Sequence, residues 1–369
     1  PLGRFRARTT DELYAGVRGI DWLLHLAADG MLAVDCNAVE SEIDHTHFAS
    51  LKVKDAIVDQ MREVAGVRPS VELQRPDLRV NLYLYRDEAT VSIDLAGDGL
   101  HKRGYRRSGG AAPLKESLAA AILARADWPK IAASGGGLID PMCGSGTLCI
   151  EAAMMAADIA PGLRREYFGF KKWNGFEPGL WQALVDDAQQ RRLAGLQTLP
   201  PVLGYDLDAE AVRIARANVD SAGLTGKIGI AQCEISAIRP PADLTGMLAV
   251  NPPYGARLGE QRKLEQLYAR LGTTLKEHFA NWQAAVFTGN PKLASALRLR
   301  PRRSYSFYNG PIKCRLLCFH IAPESPRKAE DDRADTETKR SEPPTRRKDR
   351  QVRTESSGIT SSGYEMLAN

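Results

Sequence analysis

The chain has 369 residues and a formal net charge of +5, and 43% of its residues are hydrophobic and 26% charged, which is typical of a globular protein of two or three domains. The sequence contains no run of about 18 apolar residues that would span a membrane, and its first ten residues lack the apolar core of a secretory signal. We therefore expect a cytoplasmic protein.

The six cysteines are scattered along the chain. They form no Cys-x-x-Cys pair, and no histidines lie near them at zinc-finger spacing. Cys314 and Cys318 would share one face of a predicted strand, but reduced thiols packed as small apolar side chains are the favoured interpretation. We predict neither a disulfide framework nor a metal site.

The first hundred residues predict a small α+β module. The apolar spacing of residues 51–64 indicates a helix, and residues 79–95 alternate apolar and polar side chains on both sides of a charged turn at 86–88. Such alternation is typical of a half-buried antiparallel hairpin.

Two basic segments, 101–107 and 298–305, combine arginine with tyrosine. Residues 323–369 contain ten basic and ten acidic residues, so the positive excess lies before them. Guanidinium groups and aromatic rings suit a nucleic acid, although a solvated surface loop explains either segment equally well by itself. The predicted RNA-binding residues of the first segment are Lys102, Arg103, Tyr105, Arg106 and Arg107.

From residue 113 onwards, strand and helix signals alternate, as in a parallel sheet covered by helices. Helices are predicted at 113–125, 148–157, 208–223 and 262–278, and strands at 137–140, 201–206, 227–234, 246–251 and 284–289. The run 304–321 reads as a hairpin turning at Asn309-Gly310. The predicted fold class is α/β, a doubly wound sheet with an antiparallel edge hairpin.

The last segment, 323–369, mixes charge with Pro, Ser and Thr and has few large apolar residues. It cannot bury enough surface to offset its ordering entropy, and we predict a disordered linker or tail.

A glycine-rich turn, DPMCGSGT, follows the strand at 137–140. Glycines between a strand and a helix allow a ligand to approach the backbone and the free N–H groups of the helix. The Gly-Lys-Ser/Thr ending of a P-loop is missing, and Cys149 stands where a dinucleotide-binding motif has its third glycine. The turn alone is therefore also compatible with a purely structural role.

Two acidic residues end neighbouring predicted strands. Asp206 ends the second strand and Glu234 the third, so both should face the crevice where doubly wound sheets bind ligands. An acid at that position can accept hydrogen bonds from ribose hydroxyls. Asp208 already fills the role of helix cap, which makes a purely capping role for Asp206 less attractive.

The fourth strand runs into Asn251-Pro252-Pro253-Tyr254-Gly255, and the two prolines stop both a sheet ladder and a helix. With the glycine turn about a hundred residues earlier, this motif resembles class I S-adenosylmethionine-dependent methyltransferases that act on exocyclic amino groups. The resemblance implies a Rossmann-like domain with S-adenosylmethionine as cofactor.

An exocyclic amino group of a purine is a poor nucleophile, because its lone pair is delocalised into the ring. In the implied mechanism the Asn251 side-chain oxygen and the Pro252 carbonyl accept the amino hydrogens and turn the lone pair towards the methyl donor, while Tyr254 stacks on the base. No metal is needed. Asn-Pro-Pro could also simply end a strand, with Tyr254 an ordinary packed aromatic.

Two groups share Asn-Pro-Pro-Tyr: nucleic-acid amino methyltransferases and enzymes that modify a glutamine of release factors. The segments LKVKDAIVD, LAGDGLHKRGYRR and APLKESLAAAIL make the chain more similar to THUMP-containing guanine-N2 methyltransferases, especially the bifunctional bacterial 23S rRNA enzymes. The resemblance implies a THUMP-like RNA-binding module at 1–107, a methyltransferase domain at 108–322 and a tail at 323–369.

The resemblance also implies the roles of site residues. Asn251, Pro252 and Tyr254 would address the guanine, Asp206 the ribose hydroxyls and Glu234 the adenine amino group. The residues implied on the methionine and ribose side of the donor are Asp140, Pro141, Cys143, Gly144, Ser145 and Gly146. Lys115 and Glu116 lie in a helix implied to pack over the donor, and surface solvation explains them equally well.

By this resemblance the first strands of the RNA-binding module are missing, and the second, N7-methylating domain of the bifunctional enzymes is absent. A fragment and a single-activity version both remain open. The implied partner is 23S rRNA or a pre-ribosomal particle, with tRNA as an alternative substrate. A non-catalytic RNA-binding assembly factor is a further alternative.

Overall fold

The computed structural model describes residues 1–106, 114–255 and 261–323. These residues fall within one compact unit, Pro1–Glu324. Arg107 and nearly all of the predicted tail lie outside the described residues.

The first module is a sheet of five described strands with two helices packed on it. The strand order is β1-β5-β4-β2-β3. The elements are β1 (Gly3–Arg6), α1 (Thr10–Arg18), β2 (Met31–Val39), α2 (Thr46–Ala65), β3 (Ser70–Val71), β4 (Leu78–Tyr85) and β5 (Glu88–Ile93). This arrangement confirms the predicted α+β character of the module.

The predicted hairpin is formed by β4 and β5, which pair antiparallel with Val80 opposite Ile93. Arg86 and Asp87 both have positive φ, as the two central residues of a tight hairpin turn require. The helix α2 buries Ala49, Val53, Ile57 and Met61, which recur every four residues on one face. It ends at Gly66, whose φ of 70° is left-handed.

The second module contains a seven-stranded sheet in the order β11-β12-β10-β9-β6-β7-β8. Its strands are β6 (Gly137–Asp140), β7 (Val202–Asp206), β8 (Ile228–Gln232), β9 (Gly246–Val250), β10 (Gln283–Thr288), β11 (Arg303–Asn309) and β12 (Ile312–His320). The five strands from β6 to β10 are parallel, and β12 runs antiparallel to β10. This is the predicted doubly wound sheet with an antiparallel edge hairpin.

Helices cover both faces of this sheet. They are α3 (Glu116–Arg125), α4 (Trp128–Ala133), α5 (Thr147–Ala156), α6 (Pro178–Gly195), α7 (Ala209–Ser221), α8 (Gln261–His278) and α9 (Pro291–Ala294). The central strands β6 and β9 are buried along their whole length, because each is covered on both sides. None of the described helices is long and apolar enough to cross a membrane.

The chain order places a crevice beside β6. From β6 the chain moves outward to β7 and β8 and then returns to β9 on the other side of β6. The connections on the two sides leave in opposite directions, so a crevice opens at the carboxyl ends of these strands. The candidate site lies there.

Candidate active site

A cleft of about 700 Å³ opens at the carboxyl ends of the parallel strands. Seven of the predicted site residues line it: Pro141, Gly144, Asp206, Glu234, Asn251, Pro252 and Tyr254. The other four predicted donor-site residues do not line this cleft: Asp140, Cys143, Ser145 and Gly146. The structure therefore brings together residues that are more than a hundred positions apart in sequence.

The glycine turn is held in place by Asp206. The Gly144 N–H donates to Asp206 Oδ2 at 2.9 Å, and the Asp208 N–H donates to Oδ1 at 3.0 Å. Gly144 and Gly146 both have positive φ, and a Cβ on Gly146 would lie 3.3 Å from the Ala215 Cβ. Asp208 caps α7 by accepting from the Glu210 N–H at 2.9 Å, as predicted.

Asp140 is fully buried under this turn. Its carboxylate accepts one hydrogen bond, from the Met142 N–H at 3.1 Å, and no described residue forms an ion pair with it. Burial raises the pKa of Asp140 to about 8, and the negative charge of Asp206 adds to the rise. A carboxyl group with that pKa is mostly neutral at pH 7.

Cys143 and Ser145 do not line the cleft. Burial raises the pKa of the Cys143 thiol, so this side chain is a packed apolar group and not a thiolate. The Ser145 hydroxyl lies 3.2 Å from Thr147 Oγ1 and 3.3 Å from Arg106 Nη1, and its carbonyl accepts from Asn218 Nδ2 at 3.0 Å. Both residues therefore stabilise the conformation of the glycine turn, Cys143 by packing and Ser145 by its hydrogen bonds.

Glu234 forms hydrogen bonds within its own turn. Its carboxylate accepts from the Ser236 N–H at 2.8 Å and from the Ser236 hydroxyl, and it lies 3.8 Å from the Arg270 guanidinium. The hydrogen bond from Ser236 is the main reason that the pKa of Glu234 is lowered. Arg270, on α8, lines the same cleft and was not predicted from the sequence.

Asn251 presents an acceptor that has no partner within the described parts of the chain. Its side-chain Oδ1 is buried and accepts no hydrogen bond from any described residue. A buried carbonyl oxygen without a donor costs about 1–3 kcal/mol in a folded protein. Because Asn251 lines the cleft, a ligand that donates a hydrogen bond there would remove that cost.

Tyr254 is fixed by residues from two strands. Its hydroxyl accepts from Asn309 Nδ2 at 3.0 Å, and the Cys314 thiol lies 3.9 Å away. The ring lies over Gly289, where an added Cβ would come within 2.5 Å of it. Asn309 and Ile312, at the tip of the β11–β12 hairpin, also line the cleft and were missed by sequence reasoning, since their partner is far away in sequence.

The basic segment before α3 departs from its predicted role. Tyr105 is 1% exposed and its hydroxyl donates to Glu151 at 3.1 Å, so in this structure the ring offers no stacking surface to RNA. Arg103 pairs with Glu151 at 3.3 Å and Arg106 with Glu116 at 2.8 Å. These contacts contradict the predicted surface role of Tyr105, because its ring packs in a hydrophobic core and its hydroxyl binds the buried Glu151.

Lys102 and Arg106, in the same segment, differ in how far they are exposed to solvent. Lys102 stays at the surface, with 61% of its side chain exposed, and pairs with Asp98 at 2.9 Å. Arg106 also donates to the Leu114 carbonyl at 2.8 Å and to Thr147 Oγ1 at 2.9 Å. Glu116, for which a donor-covering role and surface solvation were both open, is buried and binds Arg106. Among the described residues, no group of three acidic, histidine or cysteine side chains is placed to bind a metal ion.

Comparison with known families identifies both modules. Residues 103–317 match the family described as RMKL-like, methyltransferase domain. The chain belongs to this family. Residues 7–94 of the RMKL-like chain match the THUMP domain. The predicted resemblance to THUMP-containing methyltransferases is therefore confirmed, as is the predicted class I methyltransferase fold.

Curated relatives of the chain carry the name ribosomal RNA large subunit methyltransferase K/L. The protein from Syntrophotalea carbinolica is 52% identical over 327 residues, which are 88% of this RMKL-like chain and 46% of the relative. The protein from Methylococcus capsulatus is 52% identical over 323 residues, 88% of this chain and 44% of the relative. The chain thus spans about half the length of the curated relatives it matches.

A solved structure resembles nearly the whole described region. SMU.472, assigned as a methyltransferase and crystallised with S-adenosylhomocysteine, superposes with a TM-score of 0.77 at 30% identity. The match covers 88% of this chain and 84% of SMU.472.

Proposed function

We propose that the chain transfers a methyl group from S-adenosylmethionine to the exocyclic N2 amino group of a guanosine in 23S rRNA. The observation that carries the proposal is the buried Asn251 Oδ1 in the cleft, which has no hydrogen-bond partner among the described residues. The match to RMKL-like methyltransferases and the names of the relatives support the reaction and the rRNA substrate.

The residues of the cleft fit the methyl donor. Asp206 Oδ1 and Oδ2 each accept one backbone N–H, and a carboxylate retains further acceptor sites for ribose hydroxyls. Gly144 has no side chain and would let the ribose and methionine portion approach the turn. Glu234, at the end of β8, would accept from the adenine amino group. When bound, the donor supplies an electrophilic methyl group on a sulfonium centre.

Asn251 and Pro252 would activate the target amine. Asn251 Oδ1 and the Pro252 carbonyl would each accept one amino hydrogen, which draws the nitrogen out of conjugation with the purine ring. The prolines hold the backbone at the end of β9, so the acceptors need little reorganisation. Both acceptors are preorganised. Transfer would break the S–CH3 bond, leave S-adenosylhomocysteine and form a cationic N-methyl amine. This amine is strongly acidic and would lose one proton to water, so no strongly basic side chain is needed.

Tyr254 would hold the plane of the base. The bonds of its hydroxyl to the β11–β12 hairpin and its packing over Gly289 leave few orientations for the ring. A base turned out of its RNA stack can pack against such a ring. Lys102 remains a candidate RNA contact, whereas Arg107 lies outside the described residues.

The test is incubation of the chain with methyl-labelled S-adenosylmethionine and unmodified 23S rRNA, tRNA, DNA or release factor, followed by analysis of the modified residue. We expect label in N2-methylguanosine from 23S rRNA. Label in tRNA, adenine or glutamine would refute the proposed substrate. Binding of the donor without any transfer would favour an assembly factor that has kept the fold.

The variant Asn251→Ala tests directly whether the Asn251 side chain orients the target amine. Loss of an oriented acceptor should lower kcat by about tenfold or more while the affinity for the donor stays unchanged. Asn37→Ala is a matched control at an exposed position of β2, outside the cleft. Turnover of Asn251→Ala within a few-fold of the parent would rule out the proposed role.

An rRNA substrate would place the activity in the cytoplasm, on free rRNA or on a pre-ribosomal particle. Free rRNA and isolated precursor particles, compared in the same assay, would distinguish the two partners.

A further inference from the structure

A basic cleft lies where the two modules meet. It has a volume of about 240 Å³, and its lining includes the cations Arg75, Lys102, Arg164 and Arg165 and the ring of Tyr167. We call it the junction cleft. Arg75 comes from the first module, Lys102 from the connecting segment, and the other three from the loop after α5, so a ligand here would contact all three parts.

The junction cleft has more positive than negative charge. Asp98 and Glu166 are its acidic lining residues, against four cations. The pKa of Asp98 is lowered, chiefly by the hydrogen bond from Lys102 and further by the charges of Arg165 and Arg75. Two carboxylates therefore face four cations, and the positive charge is only partly neutralised.

Arg165 is charged but has no carboxylate partner among the described residues. Its guanidinium donates to the backbone carbonyls of four residues: Ala96, Asp98, Gly99 and Lys102. Carbonyl groups accept from Nη1 and Nη2 without removing the charge, and the buried Nε has no partner among the described residues. Arg75 also forms no ion pair with a described residue and lies 5.5 Å from the centre of the Tyr167 ring.

The positive surface continues past the cleft. A Cβ on Gly223 would lie 2.8 Å from Arg164 Nη1 and 3.2 Å from Arg192 Nη2, so the two guanidinium groups are close neighbours. Arg192 donates to the Gly223 carbonyl at 3.0 Å, and within the described residues neither arginine has an acidic partner. Two like charges held close repel each other, and a bound anion between or beside them relieves that repulsion.

We propose that the junction cleft binds backbone phosphates of the RNA substrate. Guanidinium groups bind phosphate with paired hydrogen bonds, and a row of them on separate elements suits the repeated phosphates of one RNA strand better than a single small anion. The proposal rests on the proposed function. In it, the cleft positions the RNA by contacts that carry no sequence information.

The experiment measures the affinity of the full chain for unmodified 23S rRNA at a series of KCl concentrations. Arg75→Glu and Arg164→Glu should each weaken binding by roughly tenfold at low salt and reduce the slope of log affinity against log salt by about one. Arg164→Lys should recover most of the affinity, because it keeps the charge. Circular dichroism and donor affinity check that the variants are folded.

Lys130→Glu is the matched control, since it makes the same charge change at an exposed position of α4. Unchanged affinity and slope in Arg75→Glu and Arg164→Glu, or equal losses in Lys130→Glu, would refute the proposal. Loss of inorganic phosphate binding with RNA binding intact would also refute it and indicate a small-anion site.

Failure of this proposal can be distinguished from failure of the proposed function. If the parent methylates guanosine N2 in rRNA but the cleft variants bind RNA normally, only the phosphate surface is wrong. If the cleft variants lose RNA affinity but the parent methylates no rRNA guanosine, the surface stands and the proposed reaction is wrong.

Discussion

Asp140 and Glu151 are both buried carboxyl groups near the glycine turn, but their surroundings differ. Burial raises the pKa of Glu151, while the neighbouring Arg103 opposes that rise. Among the described residues, Asp140 accepts only the Met142 N–H and has no neighbouring cation, and its pKa rises to about 8. Asp140 is therefore the acid whose ionisation should respond most to a bound cation.

The first prediction concerns donor binding and pH. If the cationic end of S-adenosylmethionine lies near Asp140, as the family resemblance implies, binding favours the carboxylate. Below pH 8 the free protein holds a proton on Asp140, so binding should release that proton, and affinity should rise with pH and level off above about 8. Calorimetry in buffers of different ionisation enthalpy measures the released proton directly.

Asp140→Asn provides the comparison, because an amide does not titrate in this range. Its donor affinity should be lower than that of the parent above pH 8 and should not depend on pH between 6 and 9. A parent protein whose affinity is equally flat would show that the donor does not interact with the Asp140 charge.

The second prediction concerns the buried pair Arg106–Glu116, whose side chains are 18% and 5% exposed. Arg106→Ala leaves the Glu116 carboxylate buried without its partner and removes two bonds to the glycine turn, those to Ser145 and Thr147. We expect a loss of about 3–5 kcal/mol in the free energy of unfolding, measured by urea titration.

Arg213→Ala removes an ion pair of similar geometry at the surface and should cost less than about 1 kcal/mol. The double variant Arg106→Met, Glu116→Leu should recover much of the stability, because no buried charge remains. Equal losses for Arg106→Ala and Arg213→Ala would contradict the role given to burial.

Among the secondary-structure elements, the β11–β12 hairpin both closes the edge of the sheet and contributes residues to the cleft. Asn309 pairs with Ile312 across the turn Gly310–Pro311, which places both side chains in the cleft beside Tyr254. The hairpin thus forms one wall of the site, although its residues follow Tyr254 by more than fifty positions.

The third prediction tests this wall. Asn309→Ala removes the hydrogen bond to the Tyr254 hydroxyl and should lower kcat/KM for RNA by about tenfold through looser orientation of the ring, with unchanged donor affinity. Steady-state kinetics with rRNA and calorimetry with the donor provide the two measurements.

Tyr254→Phe removes the same hydrogen bond together with the contact to the Cys314 thiol, so the double variant should lose no more than Tyr254→Phe alone. Tyr308→Ala, at an exposed position of β11, is the control. Additive losses for Asn309 and Tyr254 would show that the two residues act separately.

Elements with a strong local pattern could be predicted from the sequence. Strands β6 and β9 are continuous apolar runs, and α7 begins at a capping Asp208, so both kinds of signal are local. Strand β2 was missed even though Asp35 and Asn37 alternate with less exposed residues, because its pairing with β4 is set by residues more than forty positions away. Helix α6 was missed because much of its apolar surface is exposed.

The residues of the candidate site also fall into two groups, those that a local sequence pattern predicts and those that it does not. Asp206 and Asn251 could be placed from the ends of their strands, because parallel strands end at one edge of the sheet. Asn309, Arg270 and the inward turn of Tyr105 depend on tertiary contacts that no local pattern records. The basic segment was predicted to be an exposed RNA-binding surface because the sequence shows its charges. The sequence does not show that Glu151 and Glu116 pair with Arg103 and Arg106 in the folded protein.

Across the described chain, the loop between α5 and α6 contacts both the first module and the segment that connects the two modules. Between α5 and α6, Trp173 Nε1 donates to His25 at 3.1 Å and the Tyr167 hydroxyl to the Pro76 carbonyl at 3.2 Å. Arg165, in the same loop, binds four carbonyls of the segment that connects the modules. These bonds fix the connecting segment against the catalytic domain.

The fourth prediction follows from those four bonds. A methyl group in Arg165→Ala cannot replace any of them, and the ammonium of Arg165→Lys cannot reach several carbonyls with the planar geometry of a guanidinium. Both variants should speed hydrogen exchange at residues 96–102 and lower methyl transfer to rRNA. Donor affinity should remain within a few-fold, since Arg165 does not line the donor cleft.

Lys172→Ala, which removes one exposed ion pair with Asp77 in the same loop, should leave exchange at 96–102 unchanged. If Arg165→Lys matched the parent in both exchange and transfer, the positive charge alone would hold the segment, and the fork of hydrogen bonds would be dispensable.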